Sequence, residues 1–270
     1  MIIPREDRNS MRELFDEVVG QGKPDPQEAA RQAMRAPQRK RFYKDAGTAA
    51  VDGGYHVTLD GRPIRTPSGR VVVVPVQALA EAVAAEWQAQ GEIIDPATMP
   101  LTRFANSVVQ SVIDRTDDVR EDMAKYLQSD LLFYRAGHPE GLVAREATHW
   151  DPVLDWARDT LGAHFILSEG IMHVTQPDAA VQAARNALPT GPWAVAAAHV
   201  VTTITGSALL ALALAQRVRD ADQVWAAANV DEDWNVEQWG ADEEAMRRRA
   251  AKEIDYQAAV RILQDVGPAS

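Results

Sequence analysis

The side chains that most often do chemistry form no catalytic pattern in this sequence. Cysteine is absent, which excludes thiol nucleophiles, disulfides and thiolate metal sites. Ser207 follows a glycine but lacks the second glycine and the preceding strand of a serine-hydrolase turn. No two histidines stand four residues apart, the spacing that sets two metal ligands on one helix face; the six are His56, His138, His149, His164, His173 and His199. The sequence therefore predicts no catalytic residue, no metal site and no cofactor.

The elements that position these residues are of two kinds. From about residue 41 to 74, alternating apolar and polar side chains and an Asp60-Gly61 turn predict a small antiparallel β-meander. A helix follows, with apolar residues every four positions at Leu79, Val83 and Trp87. The predicted fold class is α+β: a small N-terminal antiparallel β-meander with a helix in residues 39–100, then a larger all-α helical bundle in residues 101–270. Residues 1–38 are predicted to be an N-terminal arm with a short helix near Ser10–Val19.

Capping residues predict where the bundle helices begin and end. Asp151-Pro152 is expected to open a helix over Val153–Leu161, and Gly191-Pro192 to open an apolar helix. Asp220 is expected to begin a helix that Gly240 ends, before Asp242 caps a last helix.

The stretch Pro192–Gln216 carries no charge and is long enough to cross a membrane. Its many alanines and threonines gain little from lipid, and His199 opposes insertion. The sequence therefore predicts the central helix of a bundle, with no stable membrane insertion. In that helix His199 would be a hydrogen-bonded core residue, and Ser207 a small residue that allows close helix packing.

The segment Asp220–Glu244 holds nine acids and no lysine or arginine, and Trp225, Trp234 and Trp239 lie within it. Acids near helix N-termini and tryptophans in a core would explain it structurally. An acidic rim around aromatic anchors, suited to a basic protein surface, would explain it functionally. Composition alone leaves both explanations open.

The 28 basic and 39 acidic residues give a net charge of −11. This charge favours solubility and argues against nucleic acid or anionic lipid as the main partner. The first twenty residues have no apolar secretion signal, and their acids argue against a mitochondrial transit peptide. The expected location is the cytoplasm of a bacterium, or the mitochondrial matrix if the protein is eukaryotic.

A series of short motifs runs from Lys40 to about Leu263. They are Arg41-Phe42-Tyr43-Lys44, Leu59-Asp60-Gly61-Arg62-Pro63, Ala85-Glu86-Trp87, Met99-Pro100-Leu101-Thr102-Arg103, Tyr134-Arg135-Ala136, Trp150-Asp151-Pro152, Thr205-Gly206-Ser207, Leu210-Ala211-Leu212-Ala213 and Gln238-Trp239-Gly240. In their order and spacing they resemble the ATP synthase (F-type ATPase) assembly chaperones that bind the alpha subunit of the catalytic sector. Residues 1–38 lie outside this resemblance.

The resemblance implies a chaperone, not an enzyme, that binds the free alpha subunit and shields its beta-subunit interface until assembly. Its functional acid would be one of the three that precede an aromatic-x4-Trp-Gly pattern, where relatives often carry Glu and Tyr or Phe in place of Asp233 and Trp234. The predicted partner-binding residues are Asp231, Glu232, Asp233, Trp234 and Glu237. The predicted structural residues are Trp87, Ser207, Trp239 and Gly240.

An alternative function is a small-molecule enzyme of unknown reaction, with its site between the two domains. It would require polar groups that converge on His56 or His199 in one pocket.

Overall fold

The computed structural model describes residues 39–267. The predicted arm, with its short helix near Ser10–Val19, lies outside these residues. The chain divides into two compact units, one up to Ser111 and one from Val112. The sequence suggested a division near residue 100. In the structure, residues 101–111 belong to the first unit together with the sheet.

The first unit contains a four-stranded antiparallel sheet with its long central strand paired on both sides. The strands are β1 (Ala46–Val51), β2 (Gly54–Leu59), β3 (Arg62–Pro63) and β4 (Val73–Val74). β1 pairs with one side of β2, while β3 and β4 pair with the other. Asp60 and Gly61 have φ of 48° and 77°, the left-handed values that a two-residue hairpin turn needs. The predicted meander is confirmed.

Helices complete the first unit. Helix α1 (Gln77–Gln88) packs on β1 and β2 through its buried residues Leu79, Ala80, Val83 and Ala84. Helix α2 (Pro100–Ser107) begins at the Glu86 carboxylate, which accepts hydrogen bonds from the backbone N–H groups of Leu101 at 2.7 Å and Thr102 at 2.8 Å. These bonds satisfy donors that the first turn of a helix leaves free.

The second unit is mainly helical and contains a two-residue parallel pair, β5 (Tyr134–Arg135) with β6 (Ser168–Glu169). Its helices are α3 (Thr116–Tyr126), α4 (Glu140–Leu161), α5 (Asp178–Asn186), α6 (Pro192–Thr205), α7 (Ala208–Ala215), α8 (Ala221–Ala228), α9 (Val230–Trp239) and α10 (Glu243–Val266). Together the two units confirm the predicted α+β class.

The apolar stretch from Pro192 forms two helices and not the single one predicted. Gly206 adopts φ of 73° and ends α6, and the Ser207 side chain accepts a hydrogen bond from the Leu210 N–H at 3.0 Å to cap α7. Every residue of α7 is buried, and α6 packs against α3, α7 and α10. In residues 39–267 no helix combines the length and the apolar character needed to cross a membrane.

Helix α4 runs without interruption through Pro152, so the helix start predicted at Asp151-Pro152 is wrong. Proline lacks an N–H group and normally ends or kinks a helix. Here Trp150 and Val153, on either side of the proline, are fully buried, and the Trp150 indole donates to the Ala227 carbonyl at 2.7 Å. Burial of this face offsets the hydrogen bond that the proline removes.

Candidate protein-binding site

The predicted single helix from Asp220 to Gly240 is divided at Asn229 into α8 and α9. The Asn229 side chain donates to the Trp225 carbonyl at 2.7 Å, at the point where the helix breaks. Asp231, Glu232 and Asp233 therefore lie in the first turn of α9, where acidic side chains stabilise the helix dipole. Gly240 ends α9 with φ of 88°, a positive value that favours glycine.

Asp233 is held by an arginine of the following helix. The Arg249 guanidinium of α10 forms an ion pair with the Asp233 carboxylate, and this hydrogen bond raises the pKa of Arg249. Arg249 also lies over the Trp225 ring, 5.9 Å from its centre. Asp233 thus joins α9 to α10. This ion pair accounts for an acidic residue at position 233 without any contact to a client.

Glu237 is held in the same way by α4. Both of its carboxylate oxygens accept hydrogen bonds from Arg145 at 2.8 Å, and this pairing lowers the pKa of Glu237. The same guanidinium lies 5.3 Å from the centre of the Trp234 ring. Because this pair is largely exposed, it fixes the position of α9 more than it adds to stability.

Trp234 is partly buried against the start of α4. Gly141 makes room for the indole, since a Cβ at that position would lie 2.7 Å from the Cη2 atom of Trp234. The predicted anchor is therefore packed within its own unit, and α9 rests on α4 through this ring.

Asp231 lies beside a second carboxyl group, that of Glu146 in α4. Glu146 is buried and accepts a hydrogen bond from the Ala136 N–H at 2.9 Å. Burial raises the pKa of Glu146, and the neighbouring Asp231 carboxylate raises it further. Asp231 thus interacts with a side chain of its own unit.

Glu232 differs from its two neighbours. Its carboxylate forms no hydrogen bond or ion pair with any residue in the described range 39–267, although its charge reaches Arg249. The side chain is partly exposed. Of the three acids in the first turn, Glu232 is therefore the one least engaged by other residues of the range 39–267.

The remaining predicted structural residues lie in different surroundings. The Trp87 ring meets Tyr43 edge-on at 5.7 Å in the first unit, and Ser207 caps α7. Trp239 is 86% exposed at the end of α9, so the interior packing expected of it is not observed. The period of α9 sets this tryptophan on the outer face, opposite the face that rests on α4.

Asp130 is a buried acid that the sequence did not indicate. It is fully buried, and its two oxygens accept hydrogen bonds from the N–H groups of Leu132 at 3.2 Å and Leu209 at 3.1 Å. Burial raises its pKa to about 6, while hydrogen bonds from Ser207 and these backbone groups act in the opposite direction. The sequence does show an aspartate directly before an apolar turn, which is a common capping position. It does not show that Leu209 of α7, far along the chain, is the second partner of Asp130.

The histidines do not support the alternative of an enzyme. His56 donates from Nδ1 to the Val72 carbonyl at 3.3 Å within the first unit. His199 is buried in the second unit and donates from Nε2 to Asp122 at 2.9 Å, which lowers the pKa of Asp122. Within residues 39–267 no group of three or more histidine, aspartate or glutamate side chains could hold a metal ion.

Known proteins resemble this chain over most of its length. Residues 40–158 match the family described as ATP12 chaperone protein. The crystal structure of Atp12 from Paracoccus denitrificans has 38% sequence identity and a TM-score of 0.79, covering 83% of this chain and 97% of that one. The Atu1473 protein from Agrobacterium tumefaciens has 46% identity and a TM-score of 0.82, covering 97% of this chain and all of that one. The mitochondrial protein atp12 of Schizosaccharomyces pombe is 24% identical over 226 residues, which cover 77% of this chain and 76% of that protein.

The chain belongs to the ATP12 chaperone family. This result confirms the resemblance to ATP synthase assembly chaperones drawn from the sequence motifs. The family is described as a chaperone family, and the Atu1473 protein is described as a putative chaperone.

Proposed function

We propose that this chain binds the free alpha subunit of the ATP synthase catalytic sector and shields its beta-subunit interface until assembly. The observation that carries the proposal is the Glu232 carboxylate. It lies in the first turn of α9 and forms no hydrogen bond or ion pair in the described range of the chain. A carboxylate in this state is available to a basic group of a client.

The surroundings of Glu232 support a docking role because they hold α9 in a fixed position. The Asp233–Arg249 pair joins α9 to α10, and the Arg145–Glu237 pair joins it to α4. A side chain on a helix that is fixed on two sides loses little freedom when it binds, which preserves affinity.

The chemistry of an unassembled subunit fits such a site. Before assembly, the alpha subunit exposes the apolar surface that later meets the beta subunit, and such surfaces aggregate. A chaperone must cover this surface and later give way to the true partner. A standard-sized contact guided by charge meets both needs better than a very large apolar one. We assign no catalytic step to the protein.

The proposal is tested by capture of purified free alpha subunit and by protection of that subunit from aggregation. Glu232→Lys is expected to weaken capture about tenfold or more at low salt, because it places a cation against the basic group of the client. The difference is expected to shrink at high salt, where exposed charges are screened. Asp178→Lys is the matched control, since Asp178 is an exposed acid in the first turn of α5.

Two results would overturn the proposal at different levels. If the unmodified protein neither captures nor protects the alpha subunit, the proposed client is wrong. If it does both, and a folded Glu232→Lys protein does them equally well, the client is correct but Glu232 is not its contact.

The proposal also implies a location, since a chaperone must meet its client before assembly. We place the protein in the cytoplasm of a bacterium, or in the mitochondrial matrix if it is eukaryotic. The mitochondrial relative from Schizosaccharomyces pombe supports the second case. Localisation of a tagged full-length chain tests both.

A further inference from the structure

Four large apolar side chains stand exposed in the segment that joins α4 to α5. We call this group the apolar tip, and it consists of Ile166, Leu167, Ile171 and Met172. Ile171 is 95% exposed and Met172 is 73% exposed. Single exposed apolar residues are ordinary, but four within seven positions form a patch of the kind that marks an interaction site.

The apolar tip is held in place by hydrogen bonds on both sides. The Gln176 side chain donates to the Ile166 carbonyl at 2.9 Å and accepts from its N–H at 2.8 Å. The Gly170 N–H donates to the Arg135 carbonyl at 2.9 Å, and the Ser168 hydroxyl to the Met172 carbonyl at 3.0 Å. These hydrogen bonds fix the conformation of the loop. The apolar side chains are therefore exposed on an ordered segment.

The apolar tip is connected to α9 through a short series of contacts. Glu169, at the base of the tip, lies against Gly137, where any Cβ would overlap its carboxylate. The preceding Ala136 donates its N–H to Glu146, and Glu146 lies beside Asp231 at the start of α9. These contacts connect the base of the apolar tip to the start of α9 within the second unit.

We propose that the apolar tip is a second contact for the client, and that it covers a non-polar patch on the alpha-subunit surface that later meets the beta subunit. This inference rests on the proposed function. The client surface would then be a non-polar patch with a basic group at its rim. The non-polar patch would contact the apolar tip, and the basic group would contact Glu232. Protein interfaces commonly pair an apolar centre with a polar rim in this way.

The charge and chemistry of the chain favour this occupant over a second copy of itself. The net charge of −11 and the nine acids of Asp220–Glu244 would oppose close approach of two identical surfaces. Met172 adds a flexible side chain that can adapt to an apolar surface of another shape. The proposed client is a different protein, and an unassembled subunit exposes apolar surface that the apolar tip could cover.

The test is the double variant Ile171→Ser, Met172→Ser in the full-length chain, with binding to purified free alpha subunit measured by calorimetry. Both side chains are exposed, so the variant is expected to unfold at the same urea concentration as the unmodified protein. Its Kd is expected to rise about 10- to 100-fold, because burial of each side chain contributes roughly a factor of ten. The matched control is Ile254→Ser, an exposed isoleucine on α10, which should leave the Kd unchanged.

Two further measurements distinguish the contribution of the apolar tip to binding from that of Glu232. The loss in the double variant should be the same at low and high salt, whereas the loss in Glu232→Lys should shrink with salt. The negative heat-capacity change of binding should also become smaller in the double variant, because less apolar surface is buried.

The outcomes distinguish the two proposals. If the unmodified protein does not bind the alpha subunit, the proposed function fails. If it binds, and the folded double variant binds with the same Kd, the apolar tip is not a contact. If the free protein sediments as a dimer that the double variant converts to a monomer, the tip is covered by a second copy and the inference is overturned.

Discussion

Asp130→Asn should remove a pH dependence of stability that is built into the second unit. Asp130 is fully buried between the turn before β5 and the start of α7, and its two oxygens accept hydrogen bonds from Leu132 and Leu209. Burial raises its pKa from 3.8 to about 6. Asparagine has the same shape but cannot ionise, so it removes the pH-dependent part of the contribution of Asp130.

The sign and size follow from the two pKa values. Between the two values the folded protein holds a proton on Asp130 that the unfolded chain has lost, so the free energy of unfolding falls as pH rises. The full difference between 3.8 and about 6 corresponds to about 3 kcal/mol. From about pH 5 to about pH 7, linkage predicts that the unmodified protein loses about 1 kcal/mol relative to Asp130→Asn.

Urea unfolding of both proteins across that pH range measures the difference. Asp130→Asn also sets an amide NH2 against one of the two backbone N–H donors, a cost of about 1–3 kcal/mol at every pH. The offset between the curves is therefore not diagnostic, but the change in offset with pH is. Asp117→Asn, at an exposed aspartate of α3, is the control and should run parallel to the unmodified protein. Parallel curves for Asp130→Asn would refute the reasoning.

Three other substitutions test the packing around α4 and α9 by urea unfolding. Trp150→Phe should lower the free energy of unfolding by about 1–3 kcal/mol, since the buried Ala227 carbonyl loses its indole donor; an unchanged midpoint would contradict this. Gly141→Ala should cost about 1–3 kcal/mol, because the new Cβ would lie 2.7 Å from the Trp234 ring, and equal stability would show that the ring moves freely. Trp239→Ala should change stability by less than about 0.5 kcal/mol, and a larger loss would restore its predicted packing role.

Local signals in the sequence predicted the elements that depend on neighbouring residues. The Asp60-Gly61 turn requires two left-handed residues in succession, and aspartate and glycine tolerate that conformation. Gly191-Pro192 opens α6, and Asp242 caps α10 by accepting a hydrogen bond from the Glu244 N–H. In each case the residues that decide the structure are adjacent in the chain.

Features that depend on distant residues were not predictable in this way. Pro152 was expected to begin a helix, but burial of the α4 residues beside it carries the helix through. The Arg145–Glu237 pair joins residues that are 92 positions apart, and no local pattern indicates it. The acidic segment illustrates the result. The family resemblance suggested five contact residues there, whereas folding engages Asp233 and Glu237 internally, and Glu232 forms no hydrogen bond or ion pair within residues 39–267.

Competition between this protein and the beta subunit tests the central claim most directly. A complex of labelled alpha subunit with the full-length chain would be titrated with purified beta subunit and followed by sedimentation. If the chain shields the beta-facing surface, addition of beta subunit should release it, and no complex should contain all three proteins. A stable complex of alpha subunit, beta subunit and this chain would contradict the account.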